Sequence, residues 1–184
     1  MKYKLYLNAR FQPYIRYEFE DILENFLTNR NLGSLIGGKT TFEKTGEIKS
    51  CNIDFVTFST TELSDYEIQI FQELFENTPI PKGSELKSFP SNTITPLGTL
   101  EGLGLYLNGK DLPDEVYANN DVNDLNDLIL ERLENEAEIM SYSEYETFTA
   151  LYYYGLSYSQ MLEKIKDVVS SNPLCKKSKI IQIA

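Results

Sequence analysis

The chain has 184 residues, 28 acidic and 17 basic side chains, a net charge of −11, two cysteines, and neither histidine nor tryptophan. Without histidine, every mechanism that uses imidazole as base, nucleophile or metal ligand is excluded. The acidic balance argues against a protein whose task is to grip phosphate backbones with Lys and Arg, so no nucleic-acid partner is expected.

Lys2 to Asn8 alternates as a strand and lacks the apolar run and cleavage site of a signal peptide. Phe19, Ile22, Leu23, Phe26 and Leu27 follow at helical spacing, an apolar stripe turned to a core. The next candidate motif is Gly33 to Thr40, which fits the phosphate-loop pattern G-x-x-x-x-G-K-[ST] letter for letter. That loop needs a strand before it and a helix after it. Here the order is reversed, and a loop leading into a strand is expected. Lys39 to Lys44 and Cys51 to Phe58 are β-rich and flank the hairpin signal Thr45-Gly46-Glu47. Ile68, Phe71, Leu74 and Phe75 mark a second helix, and Ser84 to Phe89 a last strand. Residues 90–99, with Pro90 and Pro96 among Ser, Asn and Thr, read as a linker.

The remaining residues repeat this order. Leu100 to Leu107 is a strand, and Val122, Leu125, Ile129 and Leu133 carry a helix. Ile139 to Tyr145 and Phe148 to Tyr154 form a hairpin, Tyr158, Leu162, Ile165, Val168 and Val169 a helix, and Ser178 to Ile183 the final strand. Sequence matches accompany the shared order. Leu5 to Tyr17 aligns with Leu105 to Tyr117 at an offset of 100, and Asn77 to Ser84 aligns with Ser171 to Ser178 at an offset of 94. The expected fold is therefore α+β: two tandem ferredoxin-like βαββαβ repeats, each an antiparallel sheet with helices on one face. The boundaries are 1–89, a linker at 90–99, and 100–184. A single repeat leaves one sheet face bare, and because in the second that face carries the apolar Tyr152 and Tyr154, the repeats are expected to pack together or onto a partner.

Twelve acidic residues against one base, Arg132, lie between Asp111 and Glu146, so this segment alone nets −11. Sixteen acids and sixteen bases are left elsewhere. The matched stretch of the first repeat, Asn8 to Tyr17, carries Arg10 and Arg16 and no acid. The repeats have thus diverged in charge at one structural position, where Asp111, Asp114 and Glu115 replace Phe11, Tyr14 and Ile15. A one-sided field of this kind steers a basic protein toward its face. Asp121, Asp124 and Asp127 extend the face. Their run superficially resembles a calcium loop but lacks its turn glycine; Asp121 reads better as a helix N-cap.

Other candidate chemistry is thin. Cys51 and Cys175 are expected to be reduced, inert thiols, because no histidine is present to activate them. No pair of carboxylates is fixed at a catalytic separation. Most tyrosines are expected in sheet faces, with Tyr14, Tyr17 and Tyr117 as candidate exposed anchors. No cofactor, metal or catalytic residue is expected.

Leu100 to Tyr117, with Thr149 to Gly155 and Pro173-Leu174-Cys175 downstream, resembles a largely uncharacterised family of small acidic bacterial proteins. These are similar in kind to immunity proteins, which bind and block a toxin. The resemblance implies a protein that binds and blocks a toxin, and it carries no site residue. The charge divergence supplies the face: a non-enzymatic protein is expected to neutralise a basic partner through Asp111, Asp114, Glu115, Asp121, Asp124 and Asp127. With no export signal and no long apolar stretch, a cytoplasmic location without membrane association is expected. The alternative is a small-molecule binding or sensing module with a ligand cleft between the repeats.

Overall fold

The alternating N-terminus becomes the middle of a sheet. In a computed structural model describing residues 1–184, the chain divides into two units, Met1–Thr99 and Leu100–Ala184. The first unit contains β1 (Lys2–Leu7), α1 (Pro13–Asn29), β2 (Gly33–Phe42), β3 (Ile48–Thr57), α2 (Asp65–Asn77), β4 (Ser84–Ser88) and β5 (Ile94–Leu97). Its antiparallel sheet has the order β2-β3-β1-β4-β5. Tyr3, Leu5 and Leu7 project from one face of β1 and are at most 3% exposed, whereas Lys2 and Lys4 project from the other. The stripe of α1 buries Phe19, Leu23, Phe26 and Leu27, and the ring of Phe71 from α2 lies 4.8 Å from Phe26 and 5.5 Å from Phe55. Each such side chain removed from water stabilises the fold by about 1.5–3 kcal/mol.

Local signals set the helix ends. Pro13 occupies the first turn of α1, where its missing N–H costs nothing. Ser64 and Glu67 form a reciprocal capping box on α2, and those hydrogen bonds pull the Glu67 carboxyl below the usual glutamate range.

The second unit contains β6 (Glu101–Asn108), α3 (Asp114–Asn119), α4 (Val122–Leu133), β7 (Ala137–Glu144), β8 (Phe148–Gly155), α5 (Tyr158–Ser171), a 3-10 turn (Pro173–Cys175) and β9 (Lys179–Gln182). The sheet order is β7-β8-β6-β9. Leu103, Leu105, Leu107, Leu151 and Tyr153 meet Leu125, Ile129, Leu133, Met161, Ile165 and Val168 in one core. The registers of the two units correspond: Leu5 pairs with Leu86 and Ile53, as Leu105 pairs with Ile180 and Leu151. Leu86 and Ile180 are 94 residues apart, the offset read in the sequence.

Several expectations are corrected. Residues 90–99 are not a plain linker, because Ile94–Leu97 forms β5 against β4. Pro96 sits in this edge strand, the place where a sheet accepts proline. Gly33 to Thr40 is extended in β2 rather than a loop entering a strand, with a bulge between Leu35 and Gly37. A short helix, α3, precedes α4. Cys51 lies within β3 rather than at its start. Tyr152 and Tyr154, on the β8 face that a single repeat would leave bare, are 0% and 2% exposed. No helix is long and apolar enough to cross a membrane.

Candidate acidic surface

All six predicted acids are exposed, but their local chemistry differs. Asn108, at the end of β6, folds the chain back on itself: its Oδ1 accepts from the N–H groups of Lys110 (3.0 Å) and Asp111 (2.7 Å). Its Nδ2 donates to the Asp111 carboxylate at 3.2 Å. Tyr117 closes the turn; its hydroxyl accepts from the Leu112 N–H and donates to the Asn108 carbonyl. Asp121 caps α4, accepting from the Asn123 N–H at 2.7 Å. Asp111 and Asp121 therefore have structural duties within the unit.

Asp114, Glu115, Asp124 and Asp127 are different. None forms a side-chain hydrogen bond or ion pair. Asp114 and Glu115 lie in the first turn of α3 and Asp124 in that of α4, where helix dipoles favour negative charge. Two later acids of the segment are engaged. Glu134 and Glu136 meet Lys164 at 2.9 and 2.8 Å, and Arg132 meets Asp167 at 3.1 Å. The hydrogen bond from Lys164 holds the Glu134 carboxyl below its ordinary range, and the one from Arg132 does the same for Asp167. The only base in the acidic run is thus turned toward α5.

Sequence reading missed two members of this surface. Glu131 is exposed and unpaired, and Leu128 is 42% exposed although apolar. With Asp124 and Asp127 they occupy positions i, i+3, i+4 and i+7 of one α4 stripe. Helical spacing would have revealed them, had the exposed face been read as closely as the buried one.

The corresponding stretch of the first unit is basic but largely spent internally. Arg10 donates to the Lys49 carbonyl. Arg16 is 5% exposed and ion-paired with Glu20, with its guanidinium carbon 4.7 Å from the Tyr17 ring centroid. Gly38 of β2 leaves the space for this pair: a Cβ there would lie 2.6 Å from the Asn52 carbonyl oxygen and overlap the Arg16 guanidinium. Tyr14 and Tyr17 are half exposed, whereas Tyr117 is held by the Asn108 turn.

The repeated sequence segments meet in each unit. Asn8 donates through its side chain to the Lys82 carbonyl at 2.8 Å and through its backbone to Ser84 at 3.1 Å. In the second unit, Lys177 donates to the Asp111 carbonyl at 2.9 Å. Each unit thus ties its first matched segment to its second.

The remaining candidates are accounted for by packing. The backbone of Gly33 to Thr40 is paired with β3 from Thr57 to Cys51, so it forms no phosphate cradle. Burial raises the thiols of Cys51 and Cys175 above the ordinary value, Cys175 to about 11. No group of three carboxylates or thiols is arranged to hold a metal ion. A hollow bounded by Tyr3, Leu63, Ile68 and Leu86 has a volume of about 30 Å³, room for a water rather than a metabolite.

No family model matches the chain, and no curated protein matches it. Among solved structures it is similar to the crystal structure of an unknown protein from Galdieria sulphuraria, at 10% identity and a TM-score of 0.27 over 98% of this chain and 95% of that one.

Proposed function

We propose that this chain is a non-enzymatic, immunity-type inhibitor that acts in the cytoplasm by occupying a basic protein partner such as a toxin. We read its two units as tandem ferredoxin-like repeats, a reading supported by their shared sheet order and corresponding registers. The acidic surface belongs to the second copy. The observation that carries the functional reading is the set of exposed, unpaired carboxylates on α3 and α4, beside others already neutralised by Lys164. Free carboxylates keep their field for a partner, whereas paired ones have spent it.

Asp114, Glu115, Asp124 and Asp127 form the core of the partner surface, and Asp111 and Asp121 hold its backbone in shape. The test is co-expression with the products of neighbouring genes, followed by calorimetric titration of any purified pair that forms. Binding that weakens steeply with added salt supports the reading, because exposed charges are screened over about 10 Å at 0.1 M. Salt-independent binding, or none, contradicts it.

A further inference from the structure

The sheet face of the first unit carries an unusual concentration of positive charge. The ammonium groups of Lys2, Lys4 and Lys87 lie 5.0, 5.8 and 5.9 Å from the centroid of one ring, Phe89, which is 38% exposed. Lys4 and Lys87 stand directly opposite each other in the β1–β4 ladder, a placement in which like charges destabilise a sheet. Asp54 lies 3.6 Å from Lys2 and 3.7 Å from Lys4. Lys87 has no carboxylate partner; Glu85, two residues along β4, forms no ion pair with it. Three cations share one anion around a solvent-facing aromatic ring.

The α4 stripe has the opposite charge and a similar size. Asp124 to Glu131 spans about 10 Å of helix. Lys2 and Lys4 are about 7 Å apart along their strand, and Lys87 is about 5 Å to the side. Each surface has an apolar centre, Leu128 among the carboxylates and Phe89 among the ammonium groups. We propose that the Lys2–Lys4–Lys87–Phe89 face receives α4 of a second copy of this chain, with Asp124, Asp127 and Glu131 against the lysines and Leu128 against the Phe89 ring. The proposal rests on the exposed α4 carboxylates invoked above, though not on the basic partner. Self-association would then compete with that partner for the same helix.

Sedimentation velocity on the purified full-length chain at about 0.01 M ionic strength, where surface charges are least screened, tests this. Concentration-dependent association that disappears at high salt is expected. Lys87→Glu and Asp127→Lys should each weaken it at least about tenfold, roughly 1.4 kcal/mol. An equimolar mixture of the two variants should associate again, because each copy supplies the surface that the other has lost. A cooperative unfolding transition in each establishes that both variants are folded. A strictly monomeric wild-type chain at low salt, or a mixture that stays monomeric, overturns the proposal. A chain that self-associates as described but ignores the basic partner leaves this proposal standing and removes the inhibitor reading.

Discussion

At the residue scale, the acids divide by hydrogen bonding rather than by position in the sequence. Asp121→Asn removes charge but keeps a good N-cap, whereas Asp121→Ala removes both; only the alanine variant should lose about 1 kcal/mol of stability in urea unfolding. Gly38 is fixed by what lies above it. Gly38→Ala should destabilise the chain by about 1–3 kcal/mol, as in other overpacked sites, because Arg16 and Glu20 would have to move. The Cys175 thiol makes a prediction about pH. Its value rises from 9.0 in the open chain to about 11 in the fold, so the folded protein retains a proton that the unfolded chain loses. This contribution is complete below about pH 9 and is lost as pH climbs through about 11. The urea midpoint should therefore fall across this window in the wild type, and fall less in Cys175→Ala.

At the element scale, strong periodicity made most of the fold legible. Phe19 to Leu27, Ile68 to Phe75 and Tyr158 to Val169 announce α1, α2 and α5 because their apolar stripes are long and regular. The exceptions have local causes. β5 is only four residues long and contains Pro96, so its sequence looks like a linker until its pairing with β4 is known. The glycines at the start of β2 obscure a strand that β3 holds in place. α3 is short, buries no residue and is separated from α4 by Asn120 and Asp121; nothing in it offers an apolar stripe. Charge made the acidic surface visible, but it does not reveal the Asn108 turn, which rests on local side-chain hydrogen bonds, or the Lys164 pairs, which depend on a distant helix. The capping box gives this scale its test: Ser64→Ala should cost about 1 kcal/mol, measured by thermal or urea unfolding.

At the scale of the whole molecule, the net charge of −11 is concentrated on one segment of the second unit. The first unit keeps a basic sheet face, so the chain presents both signs on separate surfaces. The proposed tandem-repeat reading offers a reason for this arrangement. On that reading, two copies with corresponding cores and registers can diverge at their surfaces without disturbing either core, and residues 8–17 and 108–117 differ in charge at matching positions. The central claim, that free carboxylates on α3 and α4 hold a basic partner, is tested most directly by one titration. A basic partner captured by co-expression is titrated into the wild type and into a variant carrying Asp114→Asn, Glu115→Gln, Asp124→Asn and Asp127→Asn, with Asp111 and Asp121 left to hold the backbone. Affinity should fall by about a hundredfold or more in the variant, as expected when several complementary charges are removed together; affinity within about twofold of the wild type, well under 1 kcal/mol, would contradict the account.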